Sequence, residues 1–170
     1  MKVLYFLTIV FIATLCGIND QSEEKTNSSK LASEDIDALS VLNLANNYYE
    51  QDNYKEAADG YKLAIKLDST IGEAHYKLAY SLIQLDSDTF FIDSHPSTKH
   101  YIKSAELNYR PSEAYFNAAI IKSIFALDDS AAIELFNKSL ETNPDQPEVY
   151  EMIEDAKKRL LERSGTNIKM

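Results

Sequence analysis

The feature that most constrains the fold of this chain is an apolar spacing of three and four residues that runs through residues 41–64. In the first part of this stretch the apolar positions are Val41, Leu44, Ala45 and Tyr48. After a turn at Asp52 and Asn53, the same spacing returns at Tyr54, Ala57, Tyr61 and Ala64. Residues three and four apart share one face of a helix, and small residues at this spacing let two helix backbones approach closely. The stretch therefore predicts a hairpin of two antiparallel α-helices with one buried seam.

The same two-helix pattern recurs twice more along the chain. The first-helix residues return at His75, Leu78, Ala79, Leu82, Tyr115, Ala118 and Ala119, and they restart at Tyr150. The second-helix residues return at Ser97, Tyr101, Ser104, Ala132, Phe136 and Ser139. His75 follows Val41 by 34 residues, and Tyr115 and Tyr150 follow at intervals of 40 and 35 residues. Recurrence at a nearly constant interval is typical of helical repeat proteins, in which each hairpin buries its apolar face against its neighbours.

This recurring pattern, a large residue, then Leu-Ala, then Tyr, then Ala-x-x-x-Tyr, resembles the tetratricopeptide repeat (TPR). The resemblance implies an all-α, TPR-like α-solenoid of three helical hairpins plus a C-terminal capping helix. We place the TPR-like domain at 33–163, its hairpins at about 38–71, 72–111 and 112–146, its capping helix at about 146–163 and a tail at 164–170. Ser33 has the character of an N-cap, so we expect the first helix to begin there. The family pattern is broken where Val41 and His75 replace the bulky aromatic that usually opens a repeat, and where Lys122 replaces an aromatic.

The charge of the chain limits its partners. The 170 residues carry a formal net charge of −10, and the sequence pI is about 4.7. A strongly acidic surface repels phosphate backbones and anionic lipid headgroups. We therefore expect no nucleic-acid partner, and no membrane contact except through the N-terminal segment.

Residues 3–15 form an uncharged, largely apolar run of 13 residues after the single positive charge of Lys2. This length matches the apolar region of a secretory signal, and it is shorter than the about 20 residues that span a membrane. We therefore predict a leader at 1–16, with a buried N-terminal helix as the alternative. Residues 17–32 are polar and have too little apolar surface to fold, so we expect a flexible tether. The sequence thus predicts an exported protein.

Cys16, the only cysteine, stands at the end of the apolar run. It cannot form an internal disulfide. Its position resembles the acylation site of a bacterial lipoprotein, in which a lipidated cysteine becomes the mature N-terminus. The motif is imperfect, since Leu15 stands where Gly, Ala or Ser is usual and Ala13 replaces the usual Leu. Three interpretations stay open: a membrane-anchored lipoprotein of the cell envelope, a cleaved and secreted or periplasmic protein, and an uncleaved anchor.

In the TPR family the first helix of each hairpin lines a concave groove that holds a peptide or a partner helix. The resemblance places ten residues of this chain in that groove: Leu42, Asn46, Tyr49, Glu73, Tyr76, Tyr80, Ile83, Glu113, Phe116 and Ile120. Glu148 and Glu151 would continue it. Apolar anchors rimmed by carboxylates suit an extended segment that carries apolar residues and a basic residue. The alternatives are that several of these rings pack against neighbouring helices, or that the chain's own tether lies in the groove.

Two other classes of function fit the sequence less well. A cytoplasmic co-chaperone adaptor would bind the carboxylate of a chaperone C-terminus with Lys, Asn and Arg side chains from successive first helices, a set called the carboxylate clamp. Asn46 matches one clamp position, but Leu42, Glu73, Glu113 and Asn117 stand at the others. An enzyme is not expected, because the sequence has no Ser/His/Asp or Cys/His arrangement and no Gly-rich phosphate loop. The sequence favours a non-catalytic scaffold or adaptor without a cofactor.

The acidic segment 86–93 makes the second repeat longer than the usual period. It lacks the Gly and the closing Glu of a calcium loop, so we expect its carboxylates to be solvated. Phe90 and Phe91 either fold back onto the repeat or stay partly exposed as a contact point. His95 and His100 are five residues apart and do not share a helix face, so no zinc site is expected.

Overall fold

The computed structural model describes residues 37–85 and 95–165. Within these residues the chain forms seven α-helices and one π-helical turn, and it contains no β-strand. The helices are α1 (Ala38–Glu50), α2 (Tyr54–Leu67), α3 (Gly72–Leu85), α4 (Pro96–Glu106), α5 (Pro111–Ile120), α6 (Asp129–Thr142) and α7 (Pro147–Arg163). The π-helical turn (Ile121–Phe125), which the apolar spacing did not predict, follows α5 directly. The predicted all-α fold is confirmed.

The helices pack in chain order as three hairpins and a final helix. Each hairpin is a pair of neighbouring helices: α1 with α2, α3 with α4, and α5 with α6. Contacts of α2 with α3 and of α4 with α5 join each hairpin to the next. α7 packs on α6 through its buried residues Val149, Ile153 and Ala156. This arrangement is a helical solenoid whose last apolar face is covered by a capping helix, as predicted.

Local sequence signals explain where the helices begin. The carboxylate of Asp37 accepts a hydrogen bond from the backbone N–H of Ser40 at 2.8 Å and caps α1. α1 therefore begins at Ala38, and the start predicted at Ser33 lies outside the described residues. Asp128 caps α6 in the same way, by accepting from a backbone N–H three residues on. Proline in the first turn begins α4, α5 and α7, because the first helical position needs no N–H donor.

Small residues let α1 and α2 approach closely. Ala45, Ala57 and Ala64 are fully buried between these helices, together with the ring of Tyr61. A Cβ atom added to Gly60 would lie 2.7 Å from the Cβ of Ala45, so a larger residue here would force the helices to shift. The seam predicted from the spacing of small residues is therefore tightly packed.

The prediction that Leu44 lies on the buried face of α1 is wrong. Leu44 is 55% exposed, whereas Leu78, at the equivalent position of α3, is 1% exposed. Leu78 is covered because α3, the first helix of the second hairpin, packs against the first hairpin, and Leu78 shares a buried cluster with residues such as Val41. α1 is the first described helix, so no described element precedes it to cover Leu44.

In the second and third hairpins, buried serines replace alanine at the seam. Ser97 of α4 donates a hydrogen bond to the carbonyl oxygen of Ala79 in α3 at 2.8 Å. Ser139 of α6 donates to the carbonyl oxygen of Ser112 in α5 at 2.9 Å. Both hydroxyls are buried and have an acceptor, so they tie the second helix of each hairpin to the first without an unsatisfied polar group.

A buried ion-pair network attaches α7 to the third hairpin. Asp129, in the first turn of α6, has a fully buried side chain. Its Oδ1 accepts from Nε and Nη2 of Arg159 at 3.0 and 2.6 Å, and its Oδ2 lies 3.0 Å from Nη1 of Arg163. Arg159 also donates to Oγ of Ser123 at 2.7 Å. From its sequence context Asp129 is a turn residue, and its role in holding the capping helix emerges only in three dimensions.

Several predictions concern residues outside the described part of the chain, and they stay predictions. They cover the leader at 1–16 with its lipidation candidate Cys16, the tether at 17–32, the acidic insertion at 86–93 and the end of the tail. Over residues 37–85 and 95–165, no helix is both long enough and apolar enough to cross a bilayer.

Candidate functional site

The ten predicted groove residues lie on α1, α3 and α5, the first helices of the three hairpins. Contacts between these helices bring members of the set together. Between α1 and α3, the amide of Asn46 donates to Oε1 of Glu73 at 3.1 Å. Between α3 and α5, the hydroxyl of Tyr76 donates to Oε2 of Glu113 at 3.4 Å. We call the surface formed by these ten residues the groove.

The ten residues differ in exposure. Leu42 and Tyr76 are only 5% and 9% exposed, so they contribute mainly to the core. Glu113 is exposed. The other seven are half-buried: Asn46, Tyr49, Glu73, Tyr80, Ile83, Phe116 and Ile120. Half-buried apolar side chains are held by their neighbours while part of their surface stays in contact with solvent.

A compact polar network joins α1 to α3 at one end of the groove. Oδ1 of Asn46 accepts from the hydroxyl of Tyr61 at 2.8 Å and from Nζ of Lys77 at 2.9 Å. Lys77 also forms an ion pair with Glu73 at 2.7 Å. The charge of Glu73, predicted to make the groove acidic, is therefore balanced by a lysine one helical turn away.

Four tyrosine rings form an edge-to-face cluster beside this network. Tyr49 lies 5.9 Å from Tyr54, 6.2 Å from Tyr61 and 5.6 Å from Tyr80 between ring centroids, and Tyr54 lies 5.9 Å from Tyr80. Burial, helped by the neighbouring phenols, raises the pKa of Tyr49 to about 12. Its ring is thus neutral at physiological pH, and the cluster presents apolar edges with Lys77 placed 5.5 Å above the ring of Tyr49.

A cavity of about 300 Å³ opens between α3 and α5. The residues around it are Tyr76, Tyr80, Ile83, Tyr101, Asn117, Ile120 and Ile121. Four of them belong to the groove, and most of the lining is apolar. Nδ2 of Asn117 donates to the hydroxyl of Tyr76 at 3.2 Å, which fixes the amide at the cavity. We call this space the α3/α5 cavity.

A second cavity, of about 120 Å³, lies between α5 and α7. Ile120, Phe136 and Met152 supply its apolar lining, and Asp155 and Arg159 supply polar groups. Ile120 lines both cavities, so the apolar surface continues from α3 across α5 to α7.

The charges along this surface are distributed unevenly. Glu113 forms an ion pair with Arg110, whose guanidinium also lies 5.0 Å from the ring centre of Tyr76. The exposed carboxylates of α7, on Glu148, Glu151 and Asp155, form no ion pair with any described residue. Positive charges on the α1 to α5 part of the groove are thus matched by carboxylates, while the beginning of α7 is acidic.

The described residues contain no group of three or more His, Cys, Asp or Glu side chains arranged to hold a metal ion. Nδ1 of His75 lies 2.9 Å from Nδ1 of His100, and Nε2 of His75 lies 3.3 Å from the carbonyl oxygen of Ser69. Because that oxygen only accepts, we assign the proton of His75 to Nε2, so His100 donates from Nδ1. Burial lowers the pKa of both rings, that of His100 to about 4. Two neutral imidazole rings are thus joined by a hydrogen bond between α3 and α4.

Sequence reasoning missed two charged residues that shape the groove, Lys77 and Arg110. Lys77 follows Glu73 by four residues and Arg110 precedes Glu113 by three, which are the spacings of ion pairs on one helix face. Those spacings were a usable signal for charge balance. The hydrogen bond of Asn117 to Tyr76 crosses between helices and has no sequence signal.

No profile of a protein family and no curated protein matches the sequence. Solved structures do match the fold. The first TPR domain of Spaghetti (RPAP3) bound to the HSP90 peptide SRMEEVD is 20% identical with a TM-score of 0.57, over 72% of this chain and 92% of that one. MamA is 20% identical with a TM-score of 0.61, over 83% of this chain and 76% of that one. The TPR domain of Arabidopsis OM64 is 15% identical with a TM-score of 0.56, over 71% of this chain and 94% of that one.

These likenesses establish the fold. The chain has the all-helical, stacked-hairpin architecture of TPR domains, which agrees with the resemblance seen in its residues.

Proposed function

We propose that this chain is a non-catalytic adaptor that binds an extended segment of a protein partner along the groove. The observation that carries the proposal is the apolar surface that runs from α3 across α5 to α7, with Ile120 shared by two cavities. Tyr80 and Ile83 keep part of their surface in contact with water there, although the seams behind them are fully packed. Apolar surface of this kind, rimmed by polar groups, is characteristic of interaction sites.

The polar groups of the groove support a peptide as the ligand. Asn117 presents an amide beside the apolar surface, and its Oδ1, which forms no hydrogen bond with any described residue, can accept from the main chain of an extended segment. The helices that carry the groove are packed against neighbouring helices, so the site is rigid before the partner arrives.

A test is capture of partners from the native source with the full-length chain and with two matched variants. Tyr80→Ala removes a groove ring, and Leu63→Ala removes an exposed residue of α2 away from the groove. We expect a partner that binds the wild-type chain and the Leu63 variant equally and loses more than about 2 kcal/mol of affinity for the Tyr80 variant. Equal binding by all three proteins, with unchanged helicity by circular dichroism, would remove the groove as the site.

A second candidate is a co-chaperone adaptor that grips an acidic chaperone C-terminus, comparable to the HSP90 peptide bound by the first TPR domain of Spaghetti (RPAP3). Lys77 beside Asn46 favours it, because a cation and an amide together suit a carboxylate. Glu73 and Glu113 oppose it, since each already pairs with the nearby cation. Calorimetric titration with the peptide SRMEEVD separates the two candidates. Binding in the micromolar range supports the co-chaperone adaptor, and no binding supports an adaptor that recognises other segments.

We also propose that the chain is exported and attached to a membrane through Cys16. The proposal rests on the apolar run at 3–15 that the cysteine ends. A single acyl chain binds membranes only marginally, so stable anchoring requires more than one chain. Mass spectrometry of the native protein tests it: a diacylated or triacylated N-terminal Cys16 is expected, a mature N-terminus beyond Cys16 would remove the lipid, and an intact Met1 in the cytosol would remove export.

A further inference from the structure

The α3/α5 cavity has the size and lining to hold one large side chain. Its inner lining includes Tyr101, which is buried, and Tyr80, Ile83 and Ile120 are half-buried around it. A volume of about 300 Å³ lies at the lower end of the range found for ligand pockets. The lining residues are uncharged, so a charged side chain would lose its hydration there without gaining a counter-ion.

Asn117 supplies the polar group beside this cavity. Its Nδ2 is engaged by the hydroxyl of Tyr76 at 3.2 Å, and its Oδ1 forms no hydrogen bond with any described residue. An amide held in this orientation presents its oxygen to a donor. The backbone N–H of an extended segment, next to the side chain that enters the cavity, is a donor of this kind.

The charges around the groove favour a basic residue in the bound segment, on the α7 side of the side chain that enters the cavity. On the α1 to α5 part of the groove, Lys77 and Arg110 already pair with Glu73 and Glu113. On the α7 side, the carboxylates of Glu148, Glu151 and Asp155 form no ion pair among the described residues, and α7 has no basic residue before Lys157. Asp155 lines the second cavity together with Arg159, whose guanidinium donates to Asp129 and Ser123. This cavity shares Ile120 with the α3/α5 cavity, and the exposed Glu148 and Glu151 precede Asp155 on α7.

We infer that the partner of this chain is an extended segment with one large apolar side chain, seated in the α3/α5 cavity, and a lysine or arginine over the carboxylates of α7. This inference rests on the proposed adaptor function and names the class of segment that the groove accepts. Neighbouring packed helices lie about 8 to 10 Å apart, and an extended chain advances about 3.3 Å per residue. The α3/α5 cavity is about one and a half such spacings from α7, so the basic residue is about four to five positions from the apolar one.

The test is selection of binders to the full-length chain from a library of random 12-residue peptides. Enriched peptides are expected to share Phe, Leu, Ile or Met with Lys or Arg about four to five positions away. Replacing the apolar residue of a selected peptide by Ala should weaken binding at least tenfold, and replacing the basic residue by Glu should do so more strongly at low salt than at high salt. These measurements need no change in the chain, so they stand even if a variant fails to fold.

Chain variants locate the site. Ile83→Trp enlarges a lining residue into the α3/α5 cavity and should weaken selected peptides at least tenfold, whereas Leu63→Trp, on the exposed surface of α2, should not. The triple change E148Q, E151Q and D155N should remove the preference for a basic residue, and E56Q with E141Q, at exposed positions of α2 and α6, should leave it.

The outcomes separate this inference from the adaptor proposal. Peptides that lose binding to Tyr80→Ala but show no preferred apolar or basic residue would overturn the inference and leave the adaptor. Enrichment of acidic peptides would also overturn it, in favour of the carboxylate clamp. Peptides whose binding is unchanged by both Tyr80→Ala and Ile83→Trp would overturn the inference and the groove together.

Discussion

The seams between the helices of each hairpin and the groove across their first helices are built from the same helices but packed to different extents. α3 buries Ala79 completely at its seam, while Tyr80, the next residue, is only half-buried in the groove. At the seams the residues are small, the helices are close and the buried hydroxyls of Ser97 and Ser139 have acceptors. In the groove, large apolar side chains surround a cavity of about 300 Å³. The difference indicates that the seams hold the fold, and that the groove carries apolar surface the fold does not need.

The largest loss of stability is expected at the seam between α6 and α7. Asp129→Ala removes the carboxylate that holds Arg159 and Arg163, and it leaves their charges without the buried partner. Breaking a buried ion pair costs about 3 to 5 kcal/mol. Because both arginines are partly exposed and regain water, we expect a loss near the lower end of that range, measured by urea unfolding.

Asp145→Ala is the matched control, since Asp145 is exposed in the loop before α7 and should change stability by less than about 0.5 kcal/mol. If the Asp129 variant unfolds at the same urea concentration as the control, the network does not hold the capping helix.

The next largest effect is expected from overfilling a seam. Ala57 is fully buried opposite α1, so Ala57→Leu should lower the free energy of unfolding by about 1 to 3 kcal/mol. Ala58 is equally buried and cannot serve as a control. Ala131 is only half-buried on α6, and Ala131→Leu should cost less. Thermal melting that ranks these two variants in the opposite order would remove the close-packing argument.

A smaller effect is expected when a groove ring is removed. Tyr80→Ala loses edge-to-face contacts with Tyr49 and Tyr54 at 5.6 and 5.9 Å but opens no gap in a seam. We expect a loss of about 1 kcal/mol in urea unfolding, with helicity unchanged. A loss as large as that of Ala57→Leu would mean that Tyr80 is a core residue, and the distinction between groove and seam would fail there.

The effect that is smallest at neutral pH is a pH dependence at the seam between α3 and α4, which develops only as the pH falls. Burial, then the neighbouring His75, Lys99 and Lys62, lowers the pKa of His100 to about 4 in the folded chain. Between the ordinary histidine pKa of about 6.5 and pH 4, the unfolded chain binds a proton that the folded chain does not, so stability falls as the pH drops through this window.

His100→Gln removes this group and should give a shallower loss of melting temperature between about pH 6.5 and pH 4 than the wild-type chain. Carboxylates titrate in the same window in both proteins, so the difference between the two curves is the readout. Parallel curves would show that His100 is not held neutral.

The sequence predicted the fold well because the three-and-four spacing of apolar residues reports on helix faces, and its recurrence reports on stacking. It failed at Leu44, because burial at that position depends on a preceding hairpin rather than on the helix itself. It missed the role of Asp129 in holding the capping helix α7. Arg159, which pairs with Asp129, lies 30 residues later in the chain, so no local pattern connects the two. The groove residues were named from the resemblance to the TPR family, which predicts the residues that face a ligand. The resemblance does not predict their counter-ions, and here Lys77 and Arg110 neutralise Glu73 and Glu113.

The central claim, that the groove and not another face binds the partner, is tested most directly by photo-crosslinking. A benzophenone amino acid placed at Ile83 replaces a half-buried lining residue of the α3/α5 cavity, and the same group at Leu63 lies on the exposed surface of α2. In the native source, irradiation of the full-length chain should give one dominant crosslinked protein from position 83 and none from position 63. A crosslink from position 63 without one from position 83 would contradict the account.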